Sequence, residues 1–145
     1  MVVFNRTVLP AVAFALLPQG AQAEAPVPGP VAARIERVID GDTMKVSAQI
    51  WIDQFVTVSV RIKGVDAPEL IRPQCEAERG RALEAKAFLE AALADGVIAL
   101  LDISNDKYGG RVDARVETAN GGDIGAALID KGLAVAEGAA DPWCG

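Results

Sequence analysis

Apolar and polar residues alternate along two stretches in the first half of the chain. The runs from Thr43 to Ile52 and from Phe55 to Lys63 each place apolar residues at every second position. The positions predicted to face inward are Met44, Val46, Ala48, Ile50 and Ile52 in the first run and Val56, Val58, Val60 and Ile62 in the second. A shorter strand from Arg34 to Ile39, ended by Asp40-Gly41, precedes them. Three strands with short connections predict an antiparallel meander.

The pattern changes to helical spacing after this meander. The stretch from Glu76 to Leu93 is predicted as a helix that ends near Asp95-Gly96, because glycine suits the left-handed cap of a helix. Its apolar stripe, at intervals of three and four, consists of Ala85, Phe88, Leu89, Ala92 and Leu93.

The last third of the chain predicts two strands and a second helix. The strands run from Val97 to Ile103 and, with alternating Val112, Ala114 and Val116, from Arg111 to Thr118; residues 104–110 form the loop between them. Asp123 can cap a short helix through Lys131. The inner face of that helix would hold Ile124, Ala127 and Leu128.

Three strands, a helix, two strands and a helix is the element order of an OB-fold. We therefore predict an α+β domain over residues 33–145, with a five-stranded barrel, a helix between the third and fourth strands and a short C-terminal helix. Residues 24–32, with Pro26, Pro28 and Pro30, predict an extended, poorly ordered leader.

Residues 1–23 have the layout of a secretory signal peptide. Arg6 precedes an apolar run from Val8 to Leu17 that is too short to span a bilayer, and Ala21-Gln22-Ala23 fits a cleavage site. A membrane anchor is the alternative, which Pro10 and Pro18 disfavour in a helix. We expect a monomer exported to the periplasm or the medium, without membrane contact after cleavage.

Composition restricts the partners and the chemistry. Without residues 1–23, which contain Arg6 alone among charged residues, Lys+Arg falls from 14 to 13 against 20 Asp+Glu, a net charge of −7. This charge argues against broad attraction to nucleic acid or anionic membranes, so a polyanionic substrate would need a local basic site. The chain has no histidine, so hydrolytic chemistry would fall to carboxylates, arginines and a metal.

Two cysteines, Cys75 and Cys144, make up the whole cysteine content. In an exported protein an even count favours a disulfide, which would tie the C-terminal tail to the loop before the first helix. Two free thiols are the alternative. The lack of histidine and of a C-x-x-C pair argues against a zinc site.

Four carboxylates occupy two turn-like segments, Asp40-Gly41-Asp42-Thr43 and Asp66-Ala67-Pro68-Glu69. Each segment alone is typical of an ordinary turn. We place the two segments at opposite ends of the second and third strands, so the curvature of the barrel would have to bring them together. If they meet, two or three carboxylates and a backbone carbonyl form an oxygen site for a hard divalent cation.

Arginines could complete such a site. Arg61 in the third strand and an arginine near the loop at Lys107 could grip a phosphate in bidentate fashion, although a surface salt bridge is the alternative for Arg61. A metal and two guanidiniums would stabilise the charge of a phosphoryl-transfer transition state. A remaining carboxylate could orient or deprotonate water.

At this point the sequence resembles the staphylococcal nuclease (thermonuclease) family, from about Arg34 to Val135. The matching segments, in order, are residues 38–43 (VIDGDT), 60–69 (VRIKGVDAPE), 84–88 (EAKAF), 106–109 (DKYG) and 127–134 (ALIDKGLA). The resemblance implies an OB-fold and a calcium-dependent endonuclease. It further implies single-stranded or denatured DNA and RNA as substrates.

The resemblance also implies roles for individual residues. Asp42, Asp66 and the carbonyl of Ala67 are similar to the calcium ligands, and Asp40 resembles an outer-shell acid. Glu69 resembles the general base or the group that holds the attacking water, and Arg61 the phosphate-binding arginine. Lys107 and Tyr108 are similar to the pair that contacts a terminal phosphate.

The sequence departs from the family pattern in three places. The loop has an extra glycine, Gly110, before Arg111, the residue we align with the second catalytic arginine; Arg115, further along the same strand face, is the alternative. No aromatic residue near Gly138 is available to stack on a base. The long C-terminal helix of the family is absent, and Trp143-Cys144 would take its position.

Overall fold

A computed structural model of the chain describes residues 25–145. The expected signal peptide therefore lies outside the described residues. Within residues 25–145, no helix combines the length and apolar character needed to cross a membrane.

Five long strands close into a barrel. They are β1 (Val31–Val38), β2 (Thr43–Trp51), β3 (Gln54–Ile62), β5 (Val97–Asn105) and β6 (Arg111–Thr118), and the order around the barrel is β1-β2-β3-β6-β5. Neighbours run antiparallel except β3 and β6, which are parallel. This closed five-stranded barrel confirms the predicted OB-fold architecture.

A second, two-stranded sheet lies beside the barrel. Its strands are β4 (Val65–Asp66) and β7 (Val135–Ala136), which pair antiparallel. Sequence alternation did not predict either strand, because two residues show no period. The pairing holds the C-terminal tail against Asp66.

Helix α1 (Glu76–Ala92) connects β4 to β5, and helix α2 (Ile124–Asp130) follows β6. The side chain of Asp123 accepts a hydrogen bond from the Ala126 N–H, so it caps α2 as predicted. Cys75 is the N-cap of α1, and it forms the predicted disulfide with Cys144.

The core fills the barrel and the gap beneath α1. Its buried side chains include Met44, Val46, Ala48, Val60, Ile62, Leu89, Leu93, Ile98, Leu100, Ala114, Val116 and Leu128. The predicted inward positions Ile50, Ile52 and Val56 are wrong, since all three are exposed. They lie near the tip of the β2–β3 hairpin, with Ile50 and Ile52 beyond the residues of β2 that pair with β1. Ala92, predicted on the inner face of α1, is also exposed.

The chain joins the barrel earlier than the sequence suggested. β1 begins at Val31, ahead of the expected start near Ala33. Val27 and Ile103 exchange backbone hydrogen bonds of 2.8 Å, and the Asp102 N–H donates to the Pro28 carbonyl at 3.0 Å. Part of the predicted leader therefore pairs with β5.

Candidate active site

A polar cleft of about 480 Å³ opens at one end of the barrel. Its walls come from the turn before β2, from β3, β4 and β6, from the loop after β5 and from the C-terminal tail. All eight residues that the sequence nominated for catalysis, metal or substrate line it: Asp42, Arg61, Asp66, Ala67, Glu69, Lys107, Tyr108 and Arg111. Asp40, Thr43, Asp106, Asp113 and Glu137 complete the lining.

The two acidic turns meet because β2 and β3 form one antiparallel hairpin. Thr43 at the start of β2 pairs with Arg61 near the end of β3, and the Ile62 N–H donates to the Asp42 carbonyl at 2.8 Å. The start of one strand and the end of the next share the same end of such a pair. Our placement of the turns at opposite strand ends was therefore wrong, and strand pairing alone brings them together.

Gly41 lets the first turn approach its neighbours closely. A Cβ at this position would lie 2.7 Å from the Ala85 Cβ and 2.9 Å from the Ala67 Cβ, which is too close for any larger residue. The turn that carries Asp40 and Asp42 therefore packs directly against α1 and against the second acidic segment. A hydrogen bond of 3.2 Å from the backbone N–H of Ala67 to the side-chain Oδ2 of Asp42 joins the two segments.

Arg61 is the central cation of this side of the cleft. Its Nη2 donates to the Val65 carbonyl at 3.1 Å and to Asp66 Oδ1, and it lies 3.8 Å from Asp42 Oδ2. Its Nη1 lies 3.6 Å from Glu137 Oε1. Burial disfavours the guanidinium charge, but these carboxylates outweigh burial and raise the pKa of Arg61. Arg61 does form salt bridges, as the alternative interpretation of the sequence expects, but its side chain is only 18% exposed and lines the cleft.

Asp42 is the most perturbed carboxyl group of the cleft. Burial, together with the nearby charge of Asp40, raises the pKa of Asp42 from 3.8 to about 6. Hydrogen bonds from the Thr43 hydroxyl at 2.8 Å and the Ala67 N–H, and the charge of Arg61, oppose this rise without cancelling it. The position of Asp42 therefore favours an additional cation that would offset its charge.

Asp66 ends β4, and Ala67 and Glu69 follow it in a short segment anchored by buried Pro68. Asp66 accepts from Arg61 through Oδ1 and from the Gly138 N–H through Oδ2 at 3.0 Å. Glu69 has an exposed side chain at the cleft, while its N–H donates to Glu78 Oε1 at 3.0 Å.

The opposite side of the cleft is built by the loop between β5 and β6. The Arg111 guanidinium is paired with Asp106 through Nε, and the Tyr108 N–H donates to Asp106 Oδ1 at 3.0 Å. Burial works against ionisation of Asp106, but these hydrogen bonds outweigh it and hold the pKa of Asp106 below its usual value. Lys107 and Arg111 place their cations 5.1 and 5.2 Å from the centre of the Tyr108 ring.

The extra glycine changes the loop without removing Arg111 from the cleft. Gly110 has φ of +82°, a left-handed conformation that side chains rarely adopt. Arg111 then starts β6 and lines the cleft, whereas Arg115 forms ion pairs with Glu117 and Asp102 outside it. Of the two arginines that the sequence left open, the structure brings Arg111 to the cleft.

Sequence reasoning missed Asp113 and Glu137. Asp113 lies beside Arg61 across the parallel β3–β6 pair, and its Oδ1 is buried without a hydrogen-bond partner in the described part of the chain. Burial and the charge of Asp106 raise its pKa. Strand alternation from Arg111 could have found it. Glu137 reaches the cleft through the β4–β7 pairing, for which the sequence held no signal.

Among residues 25–145, no three His, Cys, Asp or Glu side chains are arranged as a metal site of their own. The lining nevertheless contains seven carboxylates and three cationic side chains, Arg61, Lys107 and Arg111. Arg61 contacts both Asp42 and Asp66, and the Ala67 N–H donates to Asp42, so these contacts link the two acidic segments. Only oxygen donors are present, which is the donor type that hard divalent cations use.

Comparison with known proteins agrees with this fold. The family model described as "Staphylococcal nuclease homologue" matches residues 59–143, which is more than half of the chain. The matched range includes Arg61, Asp66, Glu69 and Arg111, while Asp42 precedes it. No curated protein matches the chain. With its closed five-stranded barrel and this match, the chain belongs to the staphylococcal nuclease homologue family.

Proposed function

We propose that this protein is an exported, calcium-dependent nuclease that hydrolyses phosphodiester bonds of DNA, RNA or both. The observation that carries the proposal is the convergence of Arg61, Arg111, Glu69 and the Asp42–Asp66 pair on one cleft. A purely structural domain has no need of two guanidiniums opposite an acidic cluster. The disulfide agrees with export to the periplasm or the medium.

The residues present fit a calcium ion. Asp42 and Asp66 would hold it together with the carbonyl of Ala67, and waters would complete the shell. Asp42 is buried with a raised pKa, so a cation there would relieve an existing electrostatic cost. When bound, calcium would supply positive charge for the phosphate and for the developing negative charge of the reaction.

Side chains of the cleft would bind the phosphate and take the proton from water. Arg61 and Arg111 would each present guanidinium N–H groups to phosphate oxygens from opposite walls of the cleft. Glu69, which is exposed at the cleft, would accept a hydrogen bond from the attacking water and take its proton. Lys107 and Tyr108 would contact a second phosphate of the same strand.

The charge balance of the cleft favours a second candidate, a module that binds nucleic acid or a protein partner and cleaves weakly or not at all. Seven carboxylates face three cations in the lining, so a phosphate would meet net repulsion unless a divalent ion is present. This feature separates the candidates, because an active nuclease would depend strictly on the ion.

Digestion of denatured DNA by the oxidised protein tests the proposal. We expect cleavage with calcium, none with EGTA, and a loss of about 10²-fold or more in Glu69→Gln, the size expected for a general base. Glu76→Gln, on an exposed residue of α1, is the matched control and should cleave normally. Equal cleavage in all samples would refute the mechanism, and binding without cleavage would favour the second candidate.

A further inference from the structure

The charged side chain most completely enclosed by the fold is not in the cleft. Glu78, in the first turn of α1, is 2% exposed. Together with Thr43 it makes up the buried polar residues of the described chain. A buried carboxylate is costly unless several hydrogen bonds satisfy it, so its partners indicate what it does.

Both carboxylate oxygens of Glu78 accept backbone hydrogen bonds from the segment that precedes α1. Oε1 accepts from the Glu69 N–H at 3.0 Å, and Oε2 accepts from the Gln74 N–H at 2.6 Å. A glutamate at the third position of a helix commonly reaches back to the cap residue. Here the Glu78 carboxylate instead bonds to residues before the cap, Cys75. Its two hydrogen bonds hold the first and the last residue of the 69–74 segment against the start of α1.

The disulfide lies against the same carboxylate. Cys75 Sγ accepts from the Glu78 N–H at 3.4 Å, and Cys144 Sγ lies 3.9 Å from Glu78 Oε2. The bridge therefore holds the first turn of α1 and limits the movement of Glu78. Because the N–H of Glu69 has a fixed acceptor, its Cα position is fixed relative to α1, which itself packs on the barrel.

We infer that Glu78 is a positioning residue. It holds the backbone of Glu69, so that the carboxylate of Glu69 stays at the cleft. The inference rests on the proposed function in so far as Glu69 acts on water there. Glu78 does not line the cleft itself, and Glu69 is the cleft residue that it contacts, so a positioning role would act through Glu69. Displacement of a reacting group by about 1 Å can cost on the order of 10²-fold in rate.

Steady-state kinetics of Glu78→Gln supply the first test. In Glu78→Gln, one of the two accepting oxygens becomes an NH₂ group, which cannot accept a hydrogen bond from a backbone N–H. The variant can therefore keep the bond to Glu69 or the bond to Gln74, but not both. We expect kcat on denatured DNA to fall by about 10-fold to 10²-fold, with KM changed by less than about threefold. Glu76→Gln, two residues away and exposed, should leave both values unchanged.

A double-mutant cycle separates positioning from a general structural role. If Glu78 acts through Glu69, adding Glu78→Gln to Glu69→Gln should lower kcat no further. A structural role would lower kcat by the same factor in both backgrounds. An unchanged kcat in Glu78→Gln, or equal losses in both backgrounds, would overturn the inference.

Amide hydrogen exchange tests the contact without any activity. The amides of Glu69 and Gln74 should exchange faster in Glu78→Gln than in the parent, while barrel amides of β2 and β3 keep their rates. Unchanged exchange at Glu69 overturns the inference. If the parent protein does not cleave DNA, the proposed function fails but this measurement still decides whether Glu78 holds Glu69. Should Glu78→Gln not fold, Glu78→Asp keeps the charge but is too short for both contacts, and the same comparison applies.

Discussion

The cleft has two walls, which are the strand wall with Asp42, Arg61 and Asp66, and the loop wall with Asp106, Tyr108 and Arg111. Each wall has one arginine, and the two arginines are held in different ways. Arg61 projects from β3 near the end of that strand, where the Val65 carbonyl and three carboxylates surround a side chain that is 18% exposed. Arg111 stands at the end of a loop that contains two glycines, where Asp106 pairs with it and the Tyr108 ring lies beneath it. Groups on strands are held more precisely than groups on loops. If the proposed function holds, the strand wall would fix the position of the metal and the phosphate, and the loop wall would contact the bound strand from the other side.

The largest expected effect is a loss of kcat when either cleft arginine is replaced, and the loss should be similar for Arg61 and Arg111. We expect Arg61→Lys and Arg111→Lys each to lower kcat by about 10²-fold to 10³-fold, because lysine cannot form the bidentate contact to phosphate. Arg115→Lys, outside the cleft, is the matched control and should change kcat by less than about threefold. A larger loss in Arg115→Lys than in Arg111→Lys would show that Arg115 is the functional arginine.

Stability should tell the two arginines apart. Arg61→Ala leaves Asp42 and Asp66 without their shared counter-ion, so it should lower the free energy of unfolding in EGTA by about 2–4 kcal/mol. Arg111→Ala removes one ion pair instead of three, and Asp106 keeps its hydrogen bond from the Tyr108 N–H, so the loss should be smaller, about 1–2 kcal/mol. Chemical denaturation at pH 7 measures both values. Equal losses of unfolding free energy would mean that Arg111 stabilises the fold as much as Arg61 does.

The next effect concerns the cost of ionised Asp42 on the strand wall. Its pKa is about 6 in the folded protein and 3.8 unfolded, so the folded state binds the proton more tightly between these values. The ionised carboxylate therefore lowers stability above pH 6, by roughly 3 kcal/mol, and this penalty disappears as the pH falls towards 4.

Asp42→Asn should accordingly stabilise the calcium-free protein at pH 8 by up to about 3 kcal/mol and change little at pH 4. Calcium should raise the melting temperature of the parent at pH 8 and leave that of Asp42→Asn almost unchanged, since the variant lacks a ligand. Thermal unfolding with EGTA and with calcium at the two pH values measures this. A variant that is less stable than the parent at pH 8 would show that Arg61 already compensates the charge of Asp42.

The same contrast explains how much the sequence could predict. Strand alternation and Asp-Gly turns locate β2, β3 and β6 closely, because the side-chain period is a local property. Alternation tells which residues share a face but not how far the core extends, so Ile50 and Ile52 were assigned to a core that ends before them. The strand-wall residues were predicted from the two acidic turns and the family resemblance, whereas their meeting at one end of the β2–β3 hairpin was not predicted. Glu137 was missed because the tail that carries it is held by a two-residue strand, whose formation depends on tertiary contacts.

The smallest expected effect concerns Asp113, which lies between the two walls. Its Oδ1 is buried without a hydrogen-bond partner in the described part of the chain, and burial with the charge of Asp106 raises its pKa. The ionised group therefore costs stability above its folded pKa, and the cost is lost as the pH falls through that value. Asp113→Asn keeps the shape and removes the charge, so it should stabilise the protein slightly at pH 7, because solvent screens part of this charge.

Removal of this charge should also strengthen substrate binding. Asp113 acts on both Arg61 and Arg111, and it competes with phosphate for their positive charge. We expect KM for denatured DNA to fall by about twofold to fivefold in Asp113→Asn, with the larger change at low salt because the interaction is electrostatic. Glu117→Asn, on the same strand but outside the cleft, is the control. A fall in kcat with unchanged KM would instead make Asp113 part of the reaction, and the two walls would then work through a shared carboxylate.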